Sequence, residues 1–468
     1  FVKIYNKIVL QQRLLFFCLK FRTMIVMKFG GTSVGSSDSI EKVIEIILNE
    51  NRDKIVVLSA FSGVTNLLVT INQQYESNHS TIQETIIQLE ERCLAVIDPL
   101  LKTTEYLELA KQFVSIKIDQ IKDIIKQPFS LENTKIIIGH GELISTNIVQ
   151  LYLEEKGINS KLIGALDFMR KDVSGEPDSA YISSKINPIL EQEIKNIYIT
   201  QGFICKDYDS SFSNLERGGS DYTASLIGAA IKASEIQIWT DIDGMHNNDP
   251  RYVENTFSLE EISFDEAAEL AYFGAKILHP QSLIPAKNNN IPVLLKNTFD
   301  PYKKGTLIKN NTKTSGVSSI AAKDKITAIK IKSYRMLLAY GFLKRVFEVF
   351  EVYKTPIDMI TTSEVAVSLT IDNNQFIKEI VEDLQKFGAV EVETNLSIVC
   401  VAGDFSEKKE GLSARVFNAL KHIPIRMISY GGSNYNISLL VKTADKINAL
   451  NSLNTALFKK QLSEIDVD

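Results

Sequence analysis

Met27-Lys28-Phe29-Gly30-Gly31-Thr32-Ser33-Val34-Gly35 is the stretch on which the reading of this chain turns. An apolar run, Met24 to Phe29, enters two glycines and then a helix. Ser36, Ser37 and Asp38 are N-cap types, and Ile40, Val43, Ile44, Ile47 and Leu48 follow on one helical face. Glycines between a strand and a helix let backbone approach an anion, where the helix N-terminus offers N–H groups. Lys28, on the strand end, can reach the same anion. The lysine precedes the glycines, so the motif is neither a Walker A loop nor G-x-G-x-x-G. A tight strand-to-helix turn beside an exposed lysine stays open as the plainer reading.

The rest of the composition narrows the class. A chain of 468 residues has room for two or three domains, and 44% hydrophobic with 23% charged residues describes an ordinary globular protein. A net charge of −5 gives no reason to expect nucleic acid or an anionic membrane as partner. Cys18, Cys93, Cys205 and Cys400 are scattered, so the sequence suggests neither a disulfide framework nor a zinc site, and no metal ligands are assigned. A reducing, cytoplasmic setting fits. Residues 1–23 hold five basic residues, no acid and a short apolar patch, Leu14 to Leu19. They read as a non-native or mis-started extension, with a transit peptide as the alternative.

From Met24 to about Ile320, strand-like and helical stretches alternate. Lys54–Ser59, Lys135–Gly139, Ile197–Ile204, Ile236–Trp239 and Val293–Lys296 read as strands, Thr81–Leu94 and Leu107–Ile125 as helices. That order predicts an α/β domain with a mainly parallel sheet, whose ligands bind at the carboxyl ends of strands. Five further polar stretches are expected at such ends. Ser59-Ala60-Phe61-Ser62-Gly63-Val64-Thr65 is a hydroxyl-rich turn. In Gly139-His140-Gly141-Glu142, the carboxylate of Glu142 opens a helix, for a substrate ammonium or for the helix dipole. Glu216-Arg217-Gly218-Gly219-Ser220-Asp221 is a second glycine cradle with an arginine suited to a carboxylate and an aspartate able to orient a lysine. Thr240-Asp241 opens a polar loop through His246 to Asp249-Pro250-Arg251, and Phe273-Gly274-Ala275-Lys276-Ile277-Leu278-His279-Pro280 adds a second phosphate lysine. His279, with no metal-spaced partner near it, reads as structural. Two lysines, two cradles, an arginine and an aspartate suit direct in-line phosphoryl transfer, which relies on positioning and electrostatics with Mg²⁺ on the nucleotide.

Taken in order, Lys28-Phe29-Gly30-Gly31-Thr32-Ser33-Val34, Leu58-Ser59-Ala60, Gly139 to Glu142, Arg217 to Thr223, Trp239-Thr240-Asp241, Asp249-Pro250-Arg251 and Phe273 to Pro280 resemble the aspartate kinases of the amino acid kinase family. The resemblance implies a carbamate-kinase-like three-layer α/β domain over 24–320. It also implies ATP-dependent phosphorylation of the L-aspartate side chain to 4-phospho-L-aspartate, a first step toward lysine, threonine and methionine. By resemblance, Lys28, Asp221 and Lys276 are catalytic. Ser59, Thr65, Glu142, Arg217 and Ser220 meet the substrate. Gly30, Gly31, Gly218, Gly219, Thr240, Asp241, His246 and Arg251, with both lysines, meet ATP. His246 stands where many relatives carry tyrosine.

After Ser315-Gly316-Val317 the pattern changes. Two units of about 70 residues repeat a β-α-β-β-α-β order, which fits tandem ferredoxin-like domains, 326–395 and 396–468, better than one continuous α+β domain. They resemble the paired ACT domains of aspartate kinases. Gly341-Phe342-Leu343 and Ile357 to Glu364 resemble the monofunctional, lysine-inhibited form. That resemblance implies an L-lysine site formed by Met336, Gly341, Phe342, Leu343, Asp358, Ser363 and Glu364, at the interface of a homodimer or a dimer of dimers. Ala339 replaces a hydroxyl common in relatives.

Overall fold

The computed structural model describes residues 24–193, 195–216, 218–273, 278–312, 316–333, 340–405 and 410–465. Residues 1–23, Arg217, Lys276, Met336 and Ala339 lie outside them. The chain forms two compact units. One runs to Gly244 and includes Leu278–Asn310; the other joins Met245–Ile277 to Asn311–Asp468.

The first unit is built on a twisted sheet. Its strands are β1 (Met24–Phe29), β2 (Asp53–Leu58), β3 (Ser160–Leu162), β4 (Ile197–Gln201), β5 (Glu235–Thr240), β6 (Val293–Asn297) and β7 (Thr306–Lys309), in spatial order β3-β4-β2-β1-β5-β6-β7. All pairings are parallel except β6 with β7. Every residue of β1 is buried, as expected for a central parallel strand covered on both faces. Helix α1 (Ser37–Asn49) starts at a capping box between Ser36 and Ser39 and buries Ile40, Val43, Ile44 and Ile47. Helices α2 (Val64–Glu76), α3 (Ile82–Leu100), α4 (Thr104–Ile124) and α5 (Leu131–Glu155) share one core with that face of the sheet. Helix α6 (Gly219–Ile231) and helix α7 (Pro280–Asn288) pack on each other, and the side chain of His279 caps α7 by accepting from the Gln281 N–H.

One reading is corrected here. Lys135–Gly139 is not a strand: it lies inside α5, capped by Ser130, and Glu142 sits deep in that helix rather than at its start. The run Ile136-Ile137-Ile138 between polar and glycine residues looks extended when read locally. The helical period of Ile137, Ile144 and Ile148, all fully buried, overrides it. The glycines have a packing cause. A Cβ on Gly139 would lie 2.3 Å from the Phe212 ring, and one on Gly141 would lie 2.7 Å from the Ala60 Cβ.

The second unit carries one six-stranded antiparallel sheet, β9-β10-β8-β11-β13-β12 in space. Its members are β8 (Val317–Lys332), β9 (Ile360–Thr362), β10 (Ala366–Ile371), β11 (Ala389–Gly403), β12 (Met427–Tyr430) and β13 (Asn436–Lys442). Strands β8 and β11 pair along nearly their whole length, from Val317 against Gly403 to Lys332 against Ala389. The boundaries placed at 320, 326 and 395 therefore fall inside continuous strands. The two repeats share their central pair, and Val317–Lys323 completes the second repeat from the front of the first. Each repeat keeps its own core. Helices α8 (Phe342–Val352) and α9 (Ile377–Gln385) cover the first, while α10 (Leu412–Ala419) and α11 (Lys446–Ile465) cover the second.

Candidate active site

The ends of β1, β2, β4 and β5 and the first turn of α6 converge on one side of the first sheet. Lys28 leaves the end of β1 and is buried, with its Nζ 2.6 Å from Asp221 Oδ1 in the first turn of α6. The contact is an ion pair whose angle lies outside hydrogen-bond geometry. Strand alternation turns Lys28 away from Phe29, which stacks on Trp239 in the core at 5.8 Å. The Gly30 N–H donates to the Trp239 carbonyl, and the Ser62 N–H to the Gly31 carbonyl. These bonds fix the glycine turn between β5 and the loop after β2. A Cβ on Gly31 would come within 3.0 Å of the Ala60 carbonyl oxygen, so the close approach needs a glycine. Gly218 and Gly219 adopt φ of +77° and +41°, the left-handed region that glycine enters without strain.

Eight of the residues named from sequence line a single cleft of about 430 Å³: Gly30, Gly31, Ser59, Thr65, Glu142, Gly219, Ser220 and Thr240. Ser59 Oγ donates to Ser220 Oγ at 2.9 Å, tying the β2 loop to α6. Ser145 Oγ donates to the Ser59 carbonyl at 2.8 Å, tying that loop to α5. Glu142 is 5% exposed. Its Oε1 accepts from the Ala60 N–H at 3.3 Å, and its Oε2 has no hydrogen-bond partner among the described residues. Burial pushes the Glu142 carboxyl up to about 8, against the pull of that one N–H. A half-satisfied buried carboxylate on the wall of a cleft is a place for a cation.

Thr240 Oγ donates to Asp241, which is exposed at the end of β5. His246 and Arg251 belong to the second unit, and the Arg251 guanidinium is held by Asp249 at 2.6 Å. Sequence reading did not single out Phe203 or Gly202. Phe203 lines the cleft, and a Cβ on Gly202 would lie 2.3 Å from Ser220 Oγ. No local motif marks Gly202; its role is to clear space for a side chain on another element.

The regulatory candidates are more dispersed. Gly341, with φ +77°, opens α8; Phe342 is packed in the core of the first repeat, and Leu343 is partly exposed. Ser363 and Glu364 lie in the exposed turn between β9 and β10. Ser363 lines a cavity of about 970 Å³ with Lys330, Lys332, Thr361 and Ser368, whereas the other described candidates do not. Asp358, before β9, has a side chain only 2% exposed and pairs with Lys323 at 2.7 Å.

The amino acid kinase family profile matches residues 23–297, and an ACT domain profile matches 399–457. The chain therefore belongs to the amino acid kinase family, and within it to the aspartokinases that carry ACT domains. It is 33% identical over 453 residues to lysine-sensitive aspartokinase 3 of Escherichia coli, spanning 93% of this chain and 99% of that one. It is 32% identical to chloroplastic aspartokinase 1 of Arabidopsis thaliana, over 94% of this chain and 81% of the relative. The crystal structure of E. coli aspartokinase III in complex with aspartate and ADP superposes with a TM-score of 0.81, covering 93% of this chain and all of that one. The complex of the same enzyme with lysine and aspartate gives 0.79, over 93% and 99%.

Proposed function

We propose that this chain transfers the γ-phosphoryl group of ATP to the side-chain carboxylate of L-aspartate, releasing 4-phospho-L-aspartate and ADP, and that L-lysine inhibits it. The observation that carries this reading is the buried Lys28–Asp221 pair beside a cleft that also presents the half-satisfied Glu142. A transferring phosphoryl group spreads negative charge over its equatorial oxygens, so the site has to supply fixed positive charge and N–H donors rather than covalent chemistry. Lys28 supplies the charge, and Asp221 fixes where it points. Gly31, Gly218 and Gly219 supply backbone donors that no side chain obstructs, and Gly30, whose N–H is taken by the Trp239 carbonyl, keeps the space beside Lys28 clear.

The acceptor needs the opposite treatment. Its ammonium meets Glu142, and its α-carboxylate meets Arg217, which directs the side-chain carboxylate toward Lys28. Ser59, Thr65 and Ser220 offer hydroxyls along the way. A bound ammonium stabilises the charged form of Glu142, so aspartate binding releases the proton that burial keeps on that carboxyl. Thr240, Asp241, His246, Arg251 and Lys276 serve the nucleotide. Mg²⁺ travels with ATP. Among the described residues no group of three or more His, Cys, Asp or Glu side chains forms a metal cage. Asp241, exposed at the end of β5, is the carboxylate that would help hold the Mg²⁺ beside the nucleotide. Bound there, the metal would neutralise phosphate charge. The ACT repeats assemble the chain as a homodimer or a dimer of dimers, with the lysine site at their interface. We place the enzyme in the cytoplasm; no helix among the described residues is long and apolar enough to cross a membrane.

The test is acyl-phosphate trapping. The purified chain, ATP, Mg²⁺ and L-aspartate give aspartyl hydroxamate with hydroxylamine; Lys28→Ala does not, while keeping the wild-type circular dichroism spectrum. Hydroxamate at the wild-type rate from the variant overturns the assignment.

A further inference from the structure

The carboxylate assigned to the effector does more than wait for a ligand. Asp358 Oδ1 accepts from Lys323 Nζ at 2.7 Å and from the Tyr272 hydroxyl at 3.0 Å. Lys323 also reaches Asp372 at 2.9 Å and lies over the Tyr272 ring, 4.7 Å from its centroid. Asp358 Oδ2 is buried and has no hydrogen-bond partner among the described residues. Tyr272 is the odd member of this group. It comes from the helix Phe264–Phe273, from the catalytic part of the sequence, four residues before Lys276. The same helix is fastened to the second repeat by Asn436, whose side-chain amide donates to Glu269. Burial and the neighbouring Asp358 push the Tyr272 hydroxyl up to about 12, so it remains a donor at working pH.

We infer that Tyr272 is a positioning residue whose hydroxyl, bonded to Asp358, carries the state of the lysine site to the helix that leads into the nucleotide-binding lysine. The lysine ammonium and the groups already on Asp358 compete for a single carboxylate. An ammonium arriving at Oδ2 places a second cation on Asp358. Lys323 has an alternative in Asp372; Tyr272 has none among the described residues. The added cation drains negative charge from Oδ1 and repels Lys323, and the Tyr272 bond is the one left to lengthen or turn. The Tyr272 ring, partly exposed and edge-on to Phe273 at 5.0 Å, moves with the helix it belongs to. A ligand shifts a conformational equilibrium only through contacts that differ between the states, and this bond is such a contact.

This link rests on the reading of Asp358 as an effector contact, and the test separates the two. Tyr272→Phe keeps the ring and removes the hydroxyl. Lysine binding is measured by calorimetry with and without saturating ADP, and inhibition by initial rates. In the wild type, ADP weakens lysine binding, as reciprocity of coupling requires. In the variant, which lacks that bond with or without lysine, we expect the melting temperature near wild type, calorimetric lysine binding retained, the ADP effect abolished, and basal turnover lowered at least about fivefold toward the lysine-inhibited rate, with little further inhibition by lysine. A variant whose inhibition curve and ADP effect match the wild type overturns the link while leaving the effector reading intact. A wild type that binds no lysine overturns both. Loss of lysine binding together with a lowered melting temperature would make the hydroxyl merely structural and overturns the link.

Discussion

The cleft of the first unit and the shared sheet of the second handle charge in opposite ways. At the cleft, Lys28 and Glu142 are buried and Asp221 is largely covered, and the three stand on three different elements. In the second unit, Ser363 and Glu364 stand in solvent on a turn, and Asp358, whose side chain is buried, is already engaged by Lys323 and Tyr272. The first arrangement is preorganised: its donors are fixed before any substrate arrives, which is what stabilises developing charge in a transition state. The second is unfinished by itself. Exposed residues on an edge turn gain strength only when something covers them, and a paired Asp358 has to be shared. Catalysis in this chain needs one copy of the cleft; regulation needs a ligand, and on our reading a second copy.

That contrast can be broken at several points. The largest effect belongs to Lys28→Ala. With the fixed charge gone, kcat should fall by about 10³-fold with little change in stability, read by hydroxamate formation beside thermal melting. Glu142→Gln comes next. Removing a buried charge from an ammonium lowers kcat/KM for aspartate by about 10²-fold. In the wild type, kcat/KM for aspartate rises as pH climbs through about 8, because the free enzyme must ionise Glu142 to bind, and the Gln variant loses that rise. The same shift has a stability consequence. Its carboxyl is raised in the folded state, so the stability it contributes is full below the ordinary value of 4.5 and is lost as pH rises toward 8. Melting temperature measured from pH 5 to pH 9 should therefore fall more for wild type than for Glu142→Gln.

Asp358→Ala tests the other region. Lysine inhibition should weaken by about tenfold, while Glu364→Ala, on an exposed turn, costs about threefold. Equal effects from the two would erase the distinction drawn between a buried and an exposed acid. The smallest expected change is Gly141→Ala. Its Cβ would press on Ala60 at 2.7 Å and cost about 1–3 kcal/mol, seen as a lowered denaturant midpoint, with KM for aspartate rising because the displaced loop carries the Ala60 N–H that holds Glu142.

Much of this was legible in sequence, and the failures share a cause. Lys28-Phe29-Gly30-Gly31 and Arg217 to Asp221 are local signals, strand to glycine to helix, and the structure brings their described residues together at one end of β1. Lys135–Gly139 misled because three isoleucines and two glycines look like a strand until the whole of α5 is weighed. The glycines there answer to Phe212 and Ala60, far away in sequence, and no local rule reveals that. The repeats were visible as a recurring order of elements. Their fusion was not, because it depends on Val317–Lys323 pairing with Ile398–Gly403 some eighty residues on. Resemblance alone points to Asp358, and Lys323 and Tyr272, which engage it, come from other elements and carry no motif.

One measurement bears most directly on the central claim that Lys28, held by Asp221, receives a phosphoryl group bound for the aspartate side chain. Wild type and Asp221→Asn are each given ATP, Mg²⁺ and L-aspartate, and the acyl phosphate is followed by ³¹P resonance and hydroxylamine trapping. The account predicts 4-phospho-L-aspartate from the wild type and a loss of about 10²-fold or more in kcat for the variant, with KM for aspartate little changed. Unchanged kcat in Asp221→Asn, or ATP turnover by the wild type that does not depend on aspartate, would contradict it.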